Sequence, residues 1–371
     1  MSKKIIIEDC FKKSLMPVTG QKKIGWFCTY APEELILAAG LHPVRIMGKK
    51  KLKKSESYLP INFCPYLKSG WESLLSSKDG LSAVIFTNSC DGMRRLYDTA
   101  EHYLGDMPIF MLDVPRNTDD YSVEFFGSNL EDMLSFIEGI RGDRVADLDL
   151  CDAVRLMDRK RAALKDFSRL FFENQDTLDI ADYYRIMEIS ISAKAEVFID
   201  ELNSLTDFLR NDHGAENRPA PKIMIIGNFI TEEKLWKMLS GLDLDLVADD
   251  LCISSRYYER TPGANSKLEE TKDRKAMLYL LAEGCLKKPG CMRMADMGKK
   301  LEGLKQKAGG SGVQGIIFIS LKFCDTMLYS FPLIRKEFAS LKIPVLYLEI
   351  EYNNFSEGQV KTRIQAFLEM I

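Results

Sequence analysis

Two α/β lobes with parallel sheets, joined by a helical segment, is the fold class the sequence predicts, and three observations predict it. Near both ends of the chain, short uninterrupted apolar runs alternate with helix-like stretches. That is the pattern of strands covered on both faces by crossover helices. From about Leu148 to Arg210 there are almost no helix breakers, and apolar residues recur at helical spacing. A polar, proline-containing stretch, "HGAENRPAPK" (His213 to Lys222), then precedes a return to strand-helix alternation. The boundaries that follow are an N-terminal α/β lobe over 1–147, a helical connecting segment over 148–212 and a C-terminal α/β lobe over 213–371.

In chain order, "APEELILAAG" predicts a helix, with Pro32 near its start, acids in its first turn and Gly40 as a stop. "HPVRIMG", "LSAVIFTN" and "DMPIFMLDVP" predict strands. Ser128 is the expected cap of a helix ending at Ile140. Two long helices are expected next. Leu150, Val154, Met157, Leu164, Phe167 and Phe171 define the first, and Tyr184 to Leu209 forms the second. Beyond the linker, "KIMIIGN", "LDLVADD", "GIIFISL" and "IPVLYLEI" predict four more strands. In "SEGQVKTRIQAFLEMI", Ser356 and Gln359 have capping-box spacing, and Val360, Ile364 and Leu368 share a face. The likeness of "GLSAVIFTNSCD" to "GVQGIIFISLKFCD" suggests an internal duplication.

Composition narrows the function classes. The 371 residues are 46% hydrophobic and 28% charged, enough for two or three globular domains. A formal net charge of −3 gives no reason to expect a nucleic-acid partner. No apolar run approaches the roughly 20 residues of a membrane helix. The N-terminal stretch "MSKKIIIEDCFKKSLM" lacks a signal-peptide cleavage pattern. The expected location is therefore cytoplasmic, with no membrane partner. In a reducing compartment, nine cysteines read as ligands or nucleophiles rather than disulfides.

Six of the nine fall at breaks between elements. Cys28, Cys64 and Cys90 lie in the first lobe, and Cys252, Cys291 and Cys324 in the second. Ligands of an α/β sheet gather where the strands end, and Cys90, Cys252 and Cys324 each follow a strand candidate. A helix N-terminus favours a thiolate, which suits Cys28 and Cys90 ahead of helix candidates. Cys10, Cys151 and Cys285 sit inside amphipathic patterns and read as small buried hydrophobes, although Cys285 also rivals Cys291 as a ligand. No Cys-x-x-Cys pair of a structural zinc site occurs, nor the compact spacing of ferredoxins. On spacing alone, metal ligation and simple burial both stay open for the six.

Other signals are weak. "GANSK" lacks the remaining residues of a phosphate-binding loop, and the glycines of "AGGSGVQG" precede a strand instead of following one. His42, His102 and His213 form no nucleophile-base pattern. "GKKKLKKSES" reads as a solvated basic loop, or as a surface for an acidic partner or coenzyme phosphates. "SRYYER" suits either a surface turn or a pocket wall.

Three stretches carry a family resemblance: "GWFCTYAPEELILAAGLHPVRI", "TNSCDGMRRLYD", and "LKFCDTMLYSFPLIRKEF" with "IPVLYLEIEYNNFSEGQVKTRIQAFLEMI". Together they resemble the 2-hydroxyacyl-CoA dehydratase/benzoyl-CoA reductase family, and the likeness covers nearly the whole chain. It implies two flavodoxin-like lobes holding oxygen-sensitive [4Fe-4S] clusters between them, in an anaerobic setting. It also implies a separate ATP-hydrolysing iron-sulfur activator protein that supplies single electrons at low potential. "DDLCISSRYY" and "KPGCMRMA" are similar to motifs of the double-cubane branch. The resemblance therefore implies two sulfide-bridged cubanes, one on Cys28, Cys64 and Cys90 and one on Cys252, Cys291 and Cys324, in a homodimer. It assigns no catalytic residue.

Three functions follow as expectations. The first is an iron-sulfur reductase with a double-cubane cluster, passing single electrons to a small substrate. The second is a 2-hydroxyacyl-CoA dehydratase subunit, a lyase with one [4Fe-4S] cluster and ketyl-radical chemistry on an acyl-CoA. The third is a non-enzymatic electron-transfer protein. Six ligands instead of three favour the first over the second.

Overall fold

The computed structural model describes residues 5–48, 52–77, 80–173, 175–211, 220–259, 273–352 and 354–371. Two four-stranded, all-parallel sheets organise them. The first contains β1 (Lys23–Trp26), β2 (His42–Arg45), β3 (Ala83–Thr87) and β4 (Ile109–Leu112), in the order β2-β1-β3-β4. The second contains β5 (Lys222–Gly227), β6 (Asp245–Asp250), β7 (Gly315–Leu321) and β8 (Val345–Ile350), in the order β6-β5-β7-β8. The two orders are the same, each with its first strand second from the edge, as in two flavodoxin-like lobes. Every residue of β3 and of β7 is buried, which is why those runs are apolar without alternation.

Contacts divide the chain into two compact units that depart from sequence order. The first unit holds Pro17–Arg161 and Glu259–Asp296, and the second holds Met1–Met16, Ala162–Tyr258 and Met297–Ile371. The helix Asp147–Glu173 carries the chain from one unit into the other without a break. The segment after residue 258 returns to the first unit, so Cys291 belongs with β1–β4 and not with β5–β8.

Seven of the eight strands coincide with predicted strands. The eighth, β1, is central to its sheet but short, and Lys23 and Gly25 dilute its apolar signal. Three other expectations are corrected. Ser128 lies inside the helix Asp120–Arg141, where its hydroxyl donates to Glu124 O. The cap is Asp119, whose carboxylate accepts from Ser122 N at 2.8 Å, and Gly142 ends the helix at φ 92°. The middle of the chain forms three helices, Asp147–Glu173, Ile180–Ser192 and Ala195–Asn211. Ala193 turns extended (φ −82°, ψ 160°) with neither Pro nor Gly to announce the break. Ser356 precedes the last helix, Glu357–Leu368, without a side-chain cap bond, and Phe367 replaces Leu368 on its buried face. Most of the "HGAENRPAPK" stretch and all of "GANSK" lie outside the described residues.

Candidate functional site

In a parallel sheet all strands end on one edge, and the order places a crevice where neighbouring connections run opposite ways. In the first unit this is between β1 and β3, which pair through Trp26 and Ile85. Cys28 follows β1 at that edge and Cys90 follows β3. Cys90 caps the helix Asp91–Tyr103 with extended backbone (φ −157°, ψ 168°), and its Sγ accepts from Met93 N at 3.4 Å. The free N–H groups and dipole of that helix end favour a thiolate. Cys64 immediately precedes the helix Pro65–Ser77. Its neighbour Phe63 and Leu67 of that helix approach Gly92: a Cβ there would stand 2.8 Å from Leu67 Cδ1, 3.8 Å from Phe63 Cζ and 4.0 Å from Cys90 Sγ. Gly92 is therefore what lets the Cys64 segment close against the Cys90 cap.

Cys291 reaches the same edge through its turn. Its N–H donates to Tyr30 Oη at 3.5 Å, and its Sγ accepts from Arg293 N at 3.4 Å. The buried Arg293 guanidinium then donates to Ser89 O at 3.2 Å, Pro115 O at 3.0 Å and Val114 O at 2.8 Å. Arg116 Nε donates back to Arg293 O at 3.0 Å, and Ala295 N donates to Arg116 O at 2.9 Å. The Cys291 turn is thus stitched across the ends of β3 and β4, one residue from Cys90. Lys288 Nζ donates to Thr29 O at 2.6 Å and lies 4.5 Å from the centre of the Tyr30 ring. Burial pushes the Tyr30 phenol well above its ordinary pKa, and Cys291 and Cys28 add to the shift. Tyr30 is accordingly a neutral phenol beside both cysteines.

In the second unit the crevice lies between β5 and β7. Gly227 ends β5 where a Cβ would come within 2.8 Å of Ile319 O and of Leu251 Cδ2, so no larger residue fits. Cys252 follows β6, and its N–H donates to Asn228 O at 3.3 Å, just beyond β5. Arg256 sits in the short buried helix Ser255–Tyr258, so the "SRYY" part of the ambiguous stretch is interior. Its Nη1 donates to Cys252 Sγ at 3.3 Å, and its Nη2 donates to Asp250 O at 2.6 Å and to Gly227 O. It also forms an ion pair with Asp250 at 3.0 Å, and Lys300 Nζ donates to the other carboxylate oxygen at 2.7 Å. Burial opposes the ionised form of Asp250, but Arg256, Lys300 and Lys307 outweigh it and hold the carboxyl far below its usual range. Cys324 caps the helix Asp325–Ser340 after Phe323, which adopts φ 59°; its Sγ makes no cap bond and lies 3.4 Å from Thr326 Oγ1.

All six cysteines are half-buried, whereas Cys151 and Cys285 are buried; Cys10, expected to be buried as well, is half-buried, because it ends the one-turn helix Ile7–Cys10 near the surface. Cys285 lies in the last turn of the helix Arg274–Leu286, at the end whose dipole disfavours a thiolate. Among the described residues no three Cys, His, Asp or Glu side chains are close enough to hold a single metal ion. A cubane takes its thiolates at separate iron corners, so its ligands stand wider than those of one ion. The half-exposed thiols at strand ends, the N–H donors on Cys90 and Cys291 and the cations Arg293 and Arg256 fit an anionic iron-sulfur group. Arg293, Tyr30, Lys288 and Arg256 were not singled out as site residues from sequence. The signal available was their position within a few residues of a loop cysteine.

The description "2-hydroxyglutaryl-CoA dehydratase, D-component" matches residues 28–371, from the first of the six cysteines to the chain end. The chain belongs to this family. Its relatives include the (R)-phenyllactyl-CoA dehydratase beta subunit of Clostridium sporogenes, 28% identical over 96% of this chain and 93% of the relative. The (R)-2-hydroxyglutaryl-CoA dehydratase subunit beta of Acidaminococcus fermentans is 23% identical over 99% of each chain. One subunit of the benzoyl-CoA reductase of Thauera aromatica is 21% identical over 95% of this chain and 91% of its own. Each of these D-component relatives is named as a subunit of a larger enzyme. Among the described residues of this D-component chain, no helix is long and apolar enough to cross a membrane.

Proposed function

We propose that this chain is a low-potential iron-sulfur protein of the dehydratase/reductase type. It carries [4Fe-4S] clusters on Cys28, Cys64, Cys90, Cys252, Cys291 and Cys324, as two cubanes that a sulfide bridges. When bound, the clusters supply single electrons to a small substrate. The chain's own residues supply the seat. The ends of the helices at Cys90 and Cys324 face the thiols with positive dipole. Arg256 brings a cation to Cys252, Arg293 gives its backbone N–H to Cys291 and sets its guanidinium on the carbonyl of Ser89, next to Cys90, and Tyr30 keeps its proton at a buried hydroxyl. An ATP-hydrolysing iron-sulfur activator protein is the electron donor in this reading, and the working form is a homodimer in an anaerobic cytoplasm. The observation that carries the reading is that both sheets present cysteine-led loops at their C-terminal edges.

A second reading is the subunit of a 2-hydroxyacyl-CoA dehydratase with one [4Fe-4S] cluster. The names of the relatives favour it, since several are beta subunits of acyl-CoA dehydratases. Iron and acid-labile sulfide per chain after anaerobic reconstitution separate the two. About eight irons support the double cluster and about four the single one. No iron, under conditions that load a known relative, overturns both.

A further inference from the structure

The cysteine-capped helices of the two units occupy the same place in the same topology, yet their outer faces differ. On Asp91–Tyr103 the solvent side is charged, with Arg94, Arg95, Asp98 and Glu101 exposed and Arg95 paired to Asp98 at 2.7 Å. On Asp325–Ser340 the solvent side carries Leu328 (37% exposed), Tyr329 (81%) and Leu333 (46%), with Pro332 also exposed among them. Phe323 and Leu341, just before and just after the helix, are 42% and 47% exposed. The fold position therefore does not require an apolar exterior, and exposed apolar side chains grouped on one helix face mark an association surface.

We propose that this strip is the self-association surface of the protein, with the helix Asp325–Ser340 packed antiparallel against its copy across a two-fold axis. The order of residues along the face supports a second copy as the occupant. At 100° per residue, Asp325, Leu328, Tyr329, Pro332, Leu333 and Lys336 fall on one side of the helix. Met327, Ser330, Ile334 and Phe338 fall on the other, and all four are buried. An axis between Ser330 and Phe331 sets Leu328 opposite Leu333 of the copy, Tyr329 opposite Pro332, and Asp325 opposite Lys336. The exposed charges Asp325 and Lys336 thus meet their opposites at both ends. A face that is its own complement under two-fold rotation is what an isologous dimer needs. Pro332 fits the same place, because it lacks an N–H and leaves the carbonyl one turn before it without its helical donor. The proposal rests on the homodimer of the functional reading, whose surface it locates, and does not depend on the cluster.

The test is sedimentation velocity on the full chain, iron-loaded and iron-free, across a concentration series. A dimer is expected in both forms. Tyr329→Asp with Leu333→Asp should weaken it by about 100-fold or more, since two central apolar anchors become charges. Lys336→Asp alone, which sets like charges opposite each other twice per dimer, should weaken it by about tenfold. Adding Asp325→Lys to Lys336→Asp should restore most of the affinity. Circular dichroism and the melting temperature show whether the variants fold; if the double apolar variant does not, the charge exchange decides. A dimer indifferent to these changes overturns the proposal and leaves the homodimer standing, whereas a chain that stays monomeric throughout overturns both. Failure of the exchanged pair to recover overturns the antiparallel register. Because iron-free protein reports equally, a failed cluster assignment leaves this result readable.

Discussion

In the first unit, the cation beside the loop cysteines, Arg293, is met by three backbone carbonyls. In the second, Arg256 is met by two carbonyls and by the carboxylate of Asp250, which Lys300 also engages. Both arrangements fix an arginine at the C-terminal edge of a parallel sheet with a guanidinium or backbone N–H on a cysteine sulfur. The difference is one of formal charge. Carbonyl dipoles satisfy the Arg293 donors without cancelling its charge, whereas Asp250 cancels a unit of positive charge. The same topology therefore tolerates two ways of holding a cation near a thiolate, and the two should fail differently.

The largest expected effect is in the second unit. Asp250→Ala leaves Arg256 and Lys300 buried without their shared counter-ion and should cost about 3–5 kcal/mol of stability, read from urea unfolding. A loss below about 1 kcal/mol would show that the cations relax into water and that the pair does not organise this edge. Arg293→Ala should cost about 2–3 kcal/mol, because three carbonyls, that of Val114 buried and those of Ser89 and Pro115 half-buried, lose a charged donor. It should also free the Cys291 turn, so that alkylation of Cys291 in iron-free protein speeds up relative to Cys252. Equal rates at the two cysteines would erase the contrast between the units.

Acid sharpens the comparison further. The Asp250 carboxyl is held below its unfolded value of 3.8. Its contribution is thus fully present above that value and is lost as the pH falls through the folded one. Asp250→Asn should flatten the acid limb of the stability curve, while Arg293→Ala, which removes no carboxylate, should leave its slope unchanged. The smallest effect concerns the caps. Cys90 Sγ accepts a helix N–H and Cys324 Sγ does not. In iron-free protein Cys90→Ala should cost about 0.5–1 kcal/mol and Cys324→Ala close to nothing. Iron content should fall in both if both are ligands. Equal stability losses would remove the capping difference.

Much of the fold was legible because its signals are local. β3, β4, β5, β6, β7 and β8 announce themselves as apolar runs, and the acids and prolines at helix starts act within one turn. β1 was not legible: its four residues include a lysine and a glycine, and only pairing on both sides makes it a strand. The break at Ala193 and the cap at Asp119 were missed for a related reason, since a polar side chain declares its role only through the backbone it meets. The six cysteines could be picked out individually, each lying near an element boundary. Their grouping could not.

The sequence by itself determined the fold class, the family and that Cys90, Cys252 and Cys324 follow strands, because periodicity, breakers and motif residues act over short stretches of chain. Tertiary structure alone decided that Cys291 joins the unit of Cys28, Cys64 and Cys90, and that the Arg293 N–H and the Arg256 guanidinium are the donors on the thiols. It also decided which of two equivalent helices shows an apolar face to solvent. The return of residues 259–296 to the first unit and the reach of one guanidinium to three carbonyls are long-range contacts. Their partners are set by packing and not by spacing along the chain.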